Sequence, residues 1–169
     1  MPICVRDATV ADLAVTLAIY NELIDTTTIS WKDRHQTLDE RAAWFADQQR
    51  REFPVLVADD DGTVVGVTAY GDFRDSIHWP GYRHTVELSI NVRGDRRQSG
   101  IGRMLMHALV ERARSAGVHV MVAGIDADNV DSILFHQRMQ FVEVARMPET
   151  GRKFGRWLDL VLMQRILDA

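Results

Sequence analysis

One segment of this chain constrains its fold more than any other, because a strand pattern, a glycine-containing loop and a helix pattern follow one another directly. Thr85–Val92 (TVELSINV) is rich in β-branched residues, and apolar side chains recur at helical spacing after Gly102. The loop between them reads RQSGIGR over residues 97–103. Glycines at positions 100 and 102 let the backbone turn sharply and let an anion approach the amides at the positive end of the helix. The segment therefore predicts a phosphate-binding loop.

Two other nucleotide-binding motifs fail at this loop. A P-loop requires Lys and then Ser or Thr after its last glycine, and Arg103-Met104 stands there. A dinucleotide fingerprint requires a small residue three positions after Gly102, where Leu105 stands. The remaining pattern is Arg/Gln-x-x-Gly-x-Gly/Ala, and the arginines around it suit a ligand with several phosphates: Arg93, Arg96, Arg97 and Arg103. A surface turn before an ordinary helix remains the alternative.

Length and composition indicate one globular domain spanning residues 1–169. The chain has 46% hydrophobic and 26% charged residues, and its net charge of −4 argues against a nucleic-acid partner. The chain shows neither a signal-peptide pattern nor an apolar run of membrane-spanning length, so we expect a cytoplasmic protein without a membrane partner. The single cysteine, Cys4, is expected to be a small buried residue of the first strand. No cluster of His, Cys, Asp and Glu has metal-ligand spacing, so no metal is expected.

Local signals predict the element order β-α-α-β-β-β-α-β-α-β-β, a mixed α/β sheet flanked by helices. Thr9-x-x-Asp12 and Thr37-x-x-Glu40 have the form of capping boxes that begin the first two helices. A hairpin turn at residues 59–62 and a helix end at Gly117 are also predicted. The other predicted strands and the fourth helix are Ile3–Arg6, Val55–Ala58, Val64–Tyr70, Val118–Ile125, Ser132–Met139 (helix), Phe141–Arg146 and Trp157–Arg165, the last after a loop rich in Gly and basic residues.

Four separated motifs carry a resemblance to a known family. They read GDFR at 71–74, GYRHTVELS at 81–89, AGIDADN at 123–129 and KFGRWLD at 153–159. Together with the glycine loop they resemble the GCN5-related N-acetyltransferases (GNAT), and among these the phosphinothricin/methionine sulfoximine N-acetyltransferases, over about residues 3–167. The resemblance implies the GNAT fold, acetyl-CoA as cosubstrate, a small amino-acid acceptor such as phosphinothricin, methionine sulfoximine or methionine sulfone, a role in detoxification, and a homodimer.

The resemblance also implies roles for individual residues. Backbone groups of Ile90, Asn91 and Val92 would pair with the pantetheine arm, and Asn129 would bond the pantetheine or steady the thioester region. Glu87 would be the general base, and Arg74, Leu88 and Ser89 would lie close to the acceptor together with Glu87. The pyrophosphate would be held by the loop residues Arg97, Gln98, Ser99, Gly100, Ile101, Gly102 and Arg103.

The chemistry of amine acetylation favours the same base. An α-amino group has a pKa of about 8, so its deprotonation at neutral pH costs about 1.4 kcal/mol, which a positioned and partly desolvated carboxylate can manage. Glu87 stands in an apolar strand where a carboxylate is otherwise disfavoured. A solvent-facing or ion-paired strand residue is the alternative. No Ser or Cys lies in a nucleophile motif, so direct transfer is preferred to a covalent acyl-enzyme.

Three further groups are weaker candidates. His136 stands where many acetyltransferases carry a Tyr that donates a proton to CoA, but a packing or capping histidine is an equal alternative. Arg74 and Arg83 flank an aromatic loop and suit an amino-acid carboxylate, and Lys153 suits a phosphinyl or sulfonyl oxygen. Solvated loop charges are the alternative for all three. For Trp31, Trp44 and Phe73 a pocket wall is the alternative to core packing, which is the default for scattered aromatic residues.

Three departures from the family pattern bear on function. Asn91 replaces a common aromatic residue, Gln140 replaces the Gly before Phe141, and residues 75–80 form a longer loop. The loop leaves other acceptors open, namely a polyamine, a peptide N-terminus or a lysine. A non-catalytic acyl-CoA sensor is the alternative from another class of protein.

Overall fold

The computed structural model describes residues 3–167 and has the predicted order of strands and helices. The strands are β1 (Cys4–Asp7), β2 (Val55–Asp60), β3 (Thr63–Asp72), β4 (Thr85–Val92), β5 (Val120–Asp126), β6 (Val142–Lys153) and β7 (Arg156–Ile166). The helices are α1 (Leu13–Thr26), α2 (Leu38–Arg50), α3 (Ile101–Ser115) and α4 (Val130–Arg138). In the described part of the chain, no helix is both long and apolar enough to cross a membrane.

The seven strands form one mixed sheet in the order β1-β2-β3-β4-β5-β7-β6. Among the described residues, β4 and β5 are the parallel pair, and every other neighbouring pair is antiparallel. A parallel pair requires a crossover, and α3 supplies it between β4 and β5. The predicted mixed sheet is confirmed.

The helices cover both faces of the sheet. α3 packs on one face through a stripe of fully buried side chains, including Leu105, Met106 and Leu109, because apolar residues recur there every three or four positions. The other face carries α1 and α2, whose Leu13, Ile19 and Phe45 belong to a second cluster. The α1/α2 face is the one that bears the candidate site.

Local signals set the helix starts and the hairpin. At the start of α2, Glu40 accepts a bond of 2.8 Å from the Thr37 amide, while Thr37 accepts one from the Glu40 amide. Thr9 and Asp12 form a similar box on a short 3-10 turn that precedes α1. The turn between β2 and β3 places Asp61 and Gly62 at φ +52° and +83°, as a type I′ hairpin turn requires. These predictions are confirmed.

Three details differ from expectation or qualify it. Cys4 is exposed rather than buried, because β1 is an edge strand. The segment predicted as a loop before the last strand is the second half of β6, which pairs with β7 as far as Lys153 and turns at Phe154-Gly155. Gln140 takes φ +68°, so the turn into β6 keeps the left-handed conformation that glycine favours, at a cost of about 1 kcal/mol.

Candidate active site

The sheet opens between β4 and β5. The two strands pair only at Thr85–Val120, Val86–Met121 and Glu87–Val122. Beyond that point β4 runs on to Val92, still paired with β3 on its other side, while β5 runs on to Asp126 paired with β7. The edge of β4 that faces the gap therefore carries backbone groups with no partner strand. An extended, amide-containing ligand can add there as a strand does. Of the three predicted contacts, Ile90 and Val92 direct their backbone groups to this edge, whereas those of Asn91 point to Val67 of β3.

The loop after β4 presents a helix N-terminus to solvent. Gly100 takes φ +85° as the N-cap of α3, and a Cβ placed there would meet nothing within 4 Å. The first intrahelical bond runs from the Met104 amide to the Gly100 carbonyl at 3.1 Å, so the amides of residues 101–103 have no helical acceptor. Amides and helix dipole together suit an anion, and the phosphate-binding role of the loop remains a prediction.

The arginines around the loop are not equivalent. Arg93 pairs with Asp95 at 2.6 Å and Arg96 pairs with Asp60. Arg97 and Arg103 are exposed and make no ion pair within the described residues. Two of the four cations are thus neutralised by the chain itself, and the other two remain for a phosphate ligand.

Glu87 stands at the point where β4 and β5 separate. It is opposite Gly71 on one side and Val122 on the other, and a Cβ placed on Gly124 would lie 3.1 Å from its Oε1. Within residues 3–167 the carboxylate forms no ion pair, which removes the ion-paired alternative. Solvent reaches the side chain, yet the surrounding protein atoms desolvate it enough to raise the pKa of Glu87 above the ordinary carboxyl value.

Gly124 was not predicted as a site residue. A glycine in the interior of an apolar strand is the available sequence signal, since it often marks a close approach of another group. Here the approaching group is the Glu87 carboxylate.

The turn after β5 places Asn129 at the start of α4. Its amide donates to the Asp126 carbonyl at 2.9 Å, and its Oδ1 accepts from the Ser132 amide at 3.2 Å. The side-chain Nδ2 of Asn129 has no acceptor in the described part of the chain and can donate to a ligand. This arrangement suits the predicted role of Asn129 toward pantetheine.

His136 is buried, with 3% of its surface exposed, between the rings of Phe135 and Phe141. Its Nδ1 lies 2.8 Å from the Ser132 carbonyl, which fixes the proton on Nδ1 and leaves Nε2 as a buried nitrogen without a partner in the described chain. Burial lowers the pKa of His136. This environment favours a neutral imidazole that packs in the core, which does not suit His136 to donate a proton to CoA.

The loop after β3 surrounds a cavity of about 350 Å³ lined by Arg74, Asp75, Trp79 and Tyr82. The Arg74 guanidinium lies 5.7 Å from the Tyr82 ring, a cation–π contact, and its N–H groups make no hydrogen bond within residues 3–167. Arg83 instead donates to the Pro80 carbonyl at 3.0 Å within the same loop. Of the two predicted carboxylate-binding arginines, Arg74 is therefore the better placed.

The other predicted acceptor contacts separate onto different faces. Ser89 lies two residues after Glu87 on the same face of β4, while the Leu88 side chain is buried in the core beneath α3. Only the backbone of Leu88 can line the site. Lys153 is 6% exposed, and its Nζ donates to the carbonyls of Thr27 at 2.8 Å and Ser30 at 2.5 Å.

Through these two hydrogen bonds Lys153 connects the α1–α2 loop to the β6–β7 hairpin. Trp31 of that loop packs directly on Gly151 of β6, where a Cβ would overlap its ring. Desolvation lowers the pKa of Lys153, with Asp25 and Asp33 opposing the change. The contact of Lys153 with a substrate oxygen remains a prediction.

Comparison with known proteins places this geometry in a family. Residues 5–162 match the model of the acetyltransferase (GNAT) domain family. The chain belongs to the GNAT acetyltransferases. This agrees with the resemblance noted in the sequence and with the parallel strand pair that opens toward a glycine loop.

Relatives share nearly the whole GNAT chain. An L-methionine sulfoximine/L-methionine sulfone acetyltransferase of Pseudomonas aeruginosa is 48% identical, covering 99% of this chain and 96% of its own. A phosphinothricin N-acetyltransferase of Alcaligenes faecalis is 33% identical, covering 94% and 79%. A crystal structure of a GNAT phosphinothricin acetyltransferase from Sinorhizobium meliloti in complex with acetyl-CoA has a TM-score of 0.93 and 34% identity, with 99% of this chain and 89% of that chain covered.

Proposed function

We propose that this protein acetylates the α-amino group of a small methionine-like amino acid with acetyl-CoA, by direct transfer and with Glu87 as general base. Methionine sulfoximine, methionine sulfone and phosphinothricin are the proposed acceptors, and detoxification is the proposed role. The observation that carries the proposal is the position of Glu87, an unpaired and partly desolvated carboxylate where β4 and β5 separate. The names of the relatives from Pseudomonas aeruginosa and Alcaligenes faecalis support the choice of acceptors.

The gap and the loop account for cosubstrate binding. The open edge of β4 at residues 90–92 pairs with the amides of the pantetheine arm, and Asn129 donates to it from the β5 side. The amides at the start of α3, with Arg97 and Arg103, hold the pyrophosphate. This alignment brings the thioester toward the end of the gap where Glu87 lies.

Glu87 then prepares the nucleophile. It accepts a proton from the acceptor's ammonium group, directly or through one water, and its raised pKa brings its basicity closer to that of the amine. The neutral amine attacks the thioester carbonyl carbon and a C–N bond forms. As the C–S bond breaks, the nitrogen releases its second proton through water to the departing sulfur, so that the products are the amide and CoA. The thiolate of CoA, with a pKa of about 8.5, leaves without needing a strong acid.

Charge at the acceptor site favours an amino acid over a polycation. Arg74 offers a guanidinium to the α-carboxylate beside the loop cavity. A polyamine or a lysine side chain would bring positive charge to the same place and be repelled. Arg83 contributes to the field of the site while its own donors engage Pro80.

We also propose that the protein acts as a homodimer in the cytoplasm. β6 is an edge strand with exposed apolar residues, and further ones lie on the neighbouring β7: Val142, Val144, Met147, Trp157 and Ile166. Such a surface is a common basis for subunit association. A lone cysteine is compatible with a reducing compartment. Sedimentation velocity of the wild type and Val144→Lys tests the dimer, since a monomeric wild type would contradict it.

The test of the reaction is thiol release from acetyl-CoA with methionine sulfoximine, methionine sulfone, phosphinothricin, spermidine and a lysine peptide. The first three should be acetylated, and Glu87→Gln should lose at least a hundredfold in kcat/KM. Glu111→Gln, an exposed carboxylate on α3 that pairs with Arg114, is the matched control and should behave as wild type. Turnover of the amine or the peptide alone would overturn the proposed acceptor, and no turnover of any acceptor would favour a sensor.

A further inference from the structure

Arg41, near the start of α2, is a buried cation for which the described residues provide no hydrogen-bond acceptor. Only 7% of the residue is exposed, and its Nε is buried with no partner among the described residues. Its guanidinium makes neither an ion pair nor a side-chain hydrogen bond within residues 3–167. A buried arginine normally has an acid or carbonyl partner because its desolvation is costly. Burial lowers the pKa of Arg41 to about 10, so the group remains charged at neutral pH.

Aromatic rings hold this guanidinium in place. Its Cζ lies 4.2 Å from the centre of the Trp44 ring and 5.8 Å from that of Tyr20. Stacking uses the flat faces of the guanidinium and leaves the N–H donors pointing outward in its plane. The guanidinium is thus held against two rings while its N–H donors meet no oxygen among the described residues.

One end of the inner face of α2 lies beside the catalytic carboxylate. Gln48 donates from Nε2 to the Tyr70 carbonyl at 2.8 Å and lies next to Gly71, the residue paired with Glu87. Arg41 precedes Gln48 by seven residues, two helical turns, so it is on the same face about 10 Å further along the axis. Arg41 therefore lies along the site at a distance from Glu87.

The other end of this face points toward the β6–β7 hairpin. The Tyr20 hydroxyl is 3.3 Å from Ser30 Oγ, and the Ser30 carbonyl accepts from Lys153. That hairpin adjoins the end of β5 toward which the gap opens, since Asp126 pairs with Leu160 of β7. Arg41 is thus placed between the base and the anchored α1–α2 loop, on the face where an acceptor would lie.

We propose that Arg41 binds the side-chain oxygen of the acceptor, the sulfonyl, sulfoximine or phosphinyl oxygen, while Glu87 faces its α-amino group. The proposal rests on the proposed function. In a methionine-like amino acid the α-carboxylate is on the carbon that bears the amine, within reach of Arg74, and the side-chain oxygen is at the opposite end. A fork of donors at that distance distinguishes the oxidised side chain from methionine itself, which has no oxygen there.

The test compares methionine sulfone with methionine, which differ only in the two oxygens. In Arg41→Met the ratio of kcat/KM for the sulfone to that for methionine should fall about 10- to 100-fold, with the KM for acetyl-CoA unchanged. Arg50→Met, on the exposed side of the same helix and paired with Asp47, should keep the wild-type ratio. A parallel loss on both substrates would overturn the proposal, because a merely structural residue would affect both alike.

Arg41→Lys covers the case in which the methionine variant does not fold. It keeps the charge and the stem but lacks the planar fork, so the sulfone-to-methionine ratio should still fall. An unchanged ratio in a folded Arg41→Lys enzyme would overturn the role of Arg41 and leave the proposed function intact. A wild type that acetylates neither amino acid would overturn both.

Discussion

The carboxylate of Glu87 lies directly against Gly124, one strand away across the start of the gap. A Cβ on Gly124 would come within 3.1 Å of Glu87 Oε1, closer than most real contacts of a Cβ. The absence of a side chain at residue 124 of β5 therefore determines where the carboxylate of the proposed base on β4 can lie.

Gly124→Ala should displace the Glu87 carboxylate without unfolding the protein. Because the group that must move is the end of a flexible side chain, we expect a loss of tenfold or more in kcat and little change in Tm. Gly71→Ala is the matched variant on the other side of Glu87, where the new methyl would meet only Gln48 Oε1, at 3.7 Å. Equal losses of kcat in the two variants, measured by steady-state kinetics, would contradict a specific role of Gly124 in positioning Glu87.

Activity should depend on pH through Glu87. Its pKa is raised by desolvation, so kcat/KM should fall with decreasing pH at a value above the ordinary carboxyl pKa of about 4.3, and this limb should vanish from the residual rate of Glu87→Gln. A pH–rate profile with saturating acetyl-CoA measures both.

The free energy of unfolding should depend on the ionisation of Glu87 in the sense opposite to activity: it should fall as pH rises. A carboxyl whose pKa is raised in the folded state favours folding while protonated, and that contribution is lost as pH rises through the folded-state pKa. Glu87→Gln should therefore be at least as stable as wild type at pH 7, an advantage that disappears near pH 4. Urea unfolding at both pH values provides the comparison, and a destabilised variant at pH 7 would count against a desolvated carboxylate.

The arginines of the glycine loop should differ in their effect on acetyl-CoA binding according to whether an acidic residue pairs with them. Arg97→Ala and Arg103→Ala should each raise the KM for acetyl-CoA several-fold, about 1 kcal/mol, because these cations have no acidic partner among the described residues. Arg93→Ala should change it less, because Asp95 already neutralises that charge. Higher salt should reduce the difference in KM between these variants and the wild type. An equal rise in KM in all three variants would contradict this prediction.

Gln140→Gly should stabilise the fold. Residue 140 is held at φ +68°, where a residue with a side chain is strained by about 1–2 kcal/mol and glycine is not. Glycine also gives the unfolded chain more conformational freedom, which offsets part of this stabilisation. We expect up to about 1 kcal/mol in the free energy of unfolding, with unchanged kinetics. Urea denaturation of the two proteins is the measurement. Gln137→Gly, in the last turn of α4 where the backbone is helical, should destabilise instead.

The sequence predicted the elements well where the signals are local. The capping box at Thr37, the turn at Asp61-Gly62 and the glycine loop before α3 depend on residues a few positions apart, and the structure has all three. The second half of β6 was missed because its Gly and charged residues follow no alternating pattern. It is a strand through pairing with β7, an effect of tertiary structure.

The same division applies to the site. Glu87 was found because a carboxylate in an apolar strand is conspicuous by itself. The contact of Gly124 with Glu87 and the unpaired donors of Arg41 depend on strands and helices brought together by folding. Likewise, nothing in the local sequence shows that Arg96 pairs with Asp60 from another strand.

Within residues 3–167, three residue pairs of parallel ladder join the four-stranded half of the sheet to the three-stranded half across β4 and β5. The hydrogen-bonded ladder between the two halves is therefore short, although a shared apolar core under α3 also joins them, and a ligand that pairs with β4 in the gap extends the bonding. Amide hydrogens of β5 near Asp126 should exchange with solvent more slowly once the gap is filled. Cosubstrate binding should therefore also reduce the motion of the two halves of the sheet relative to each other. The measured binding free energy then includes the entropy that this ordering costs.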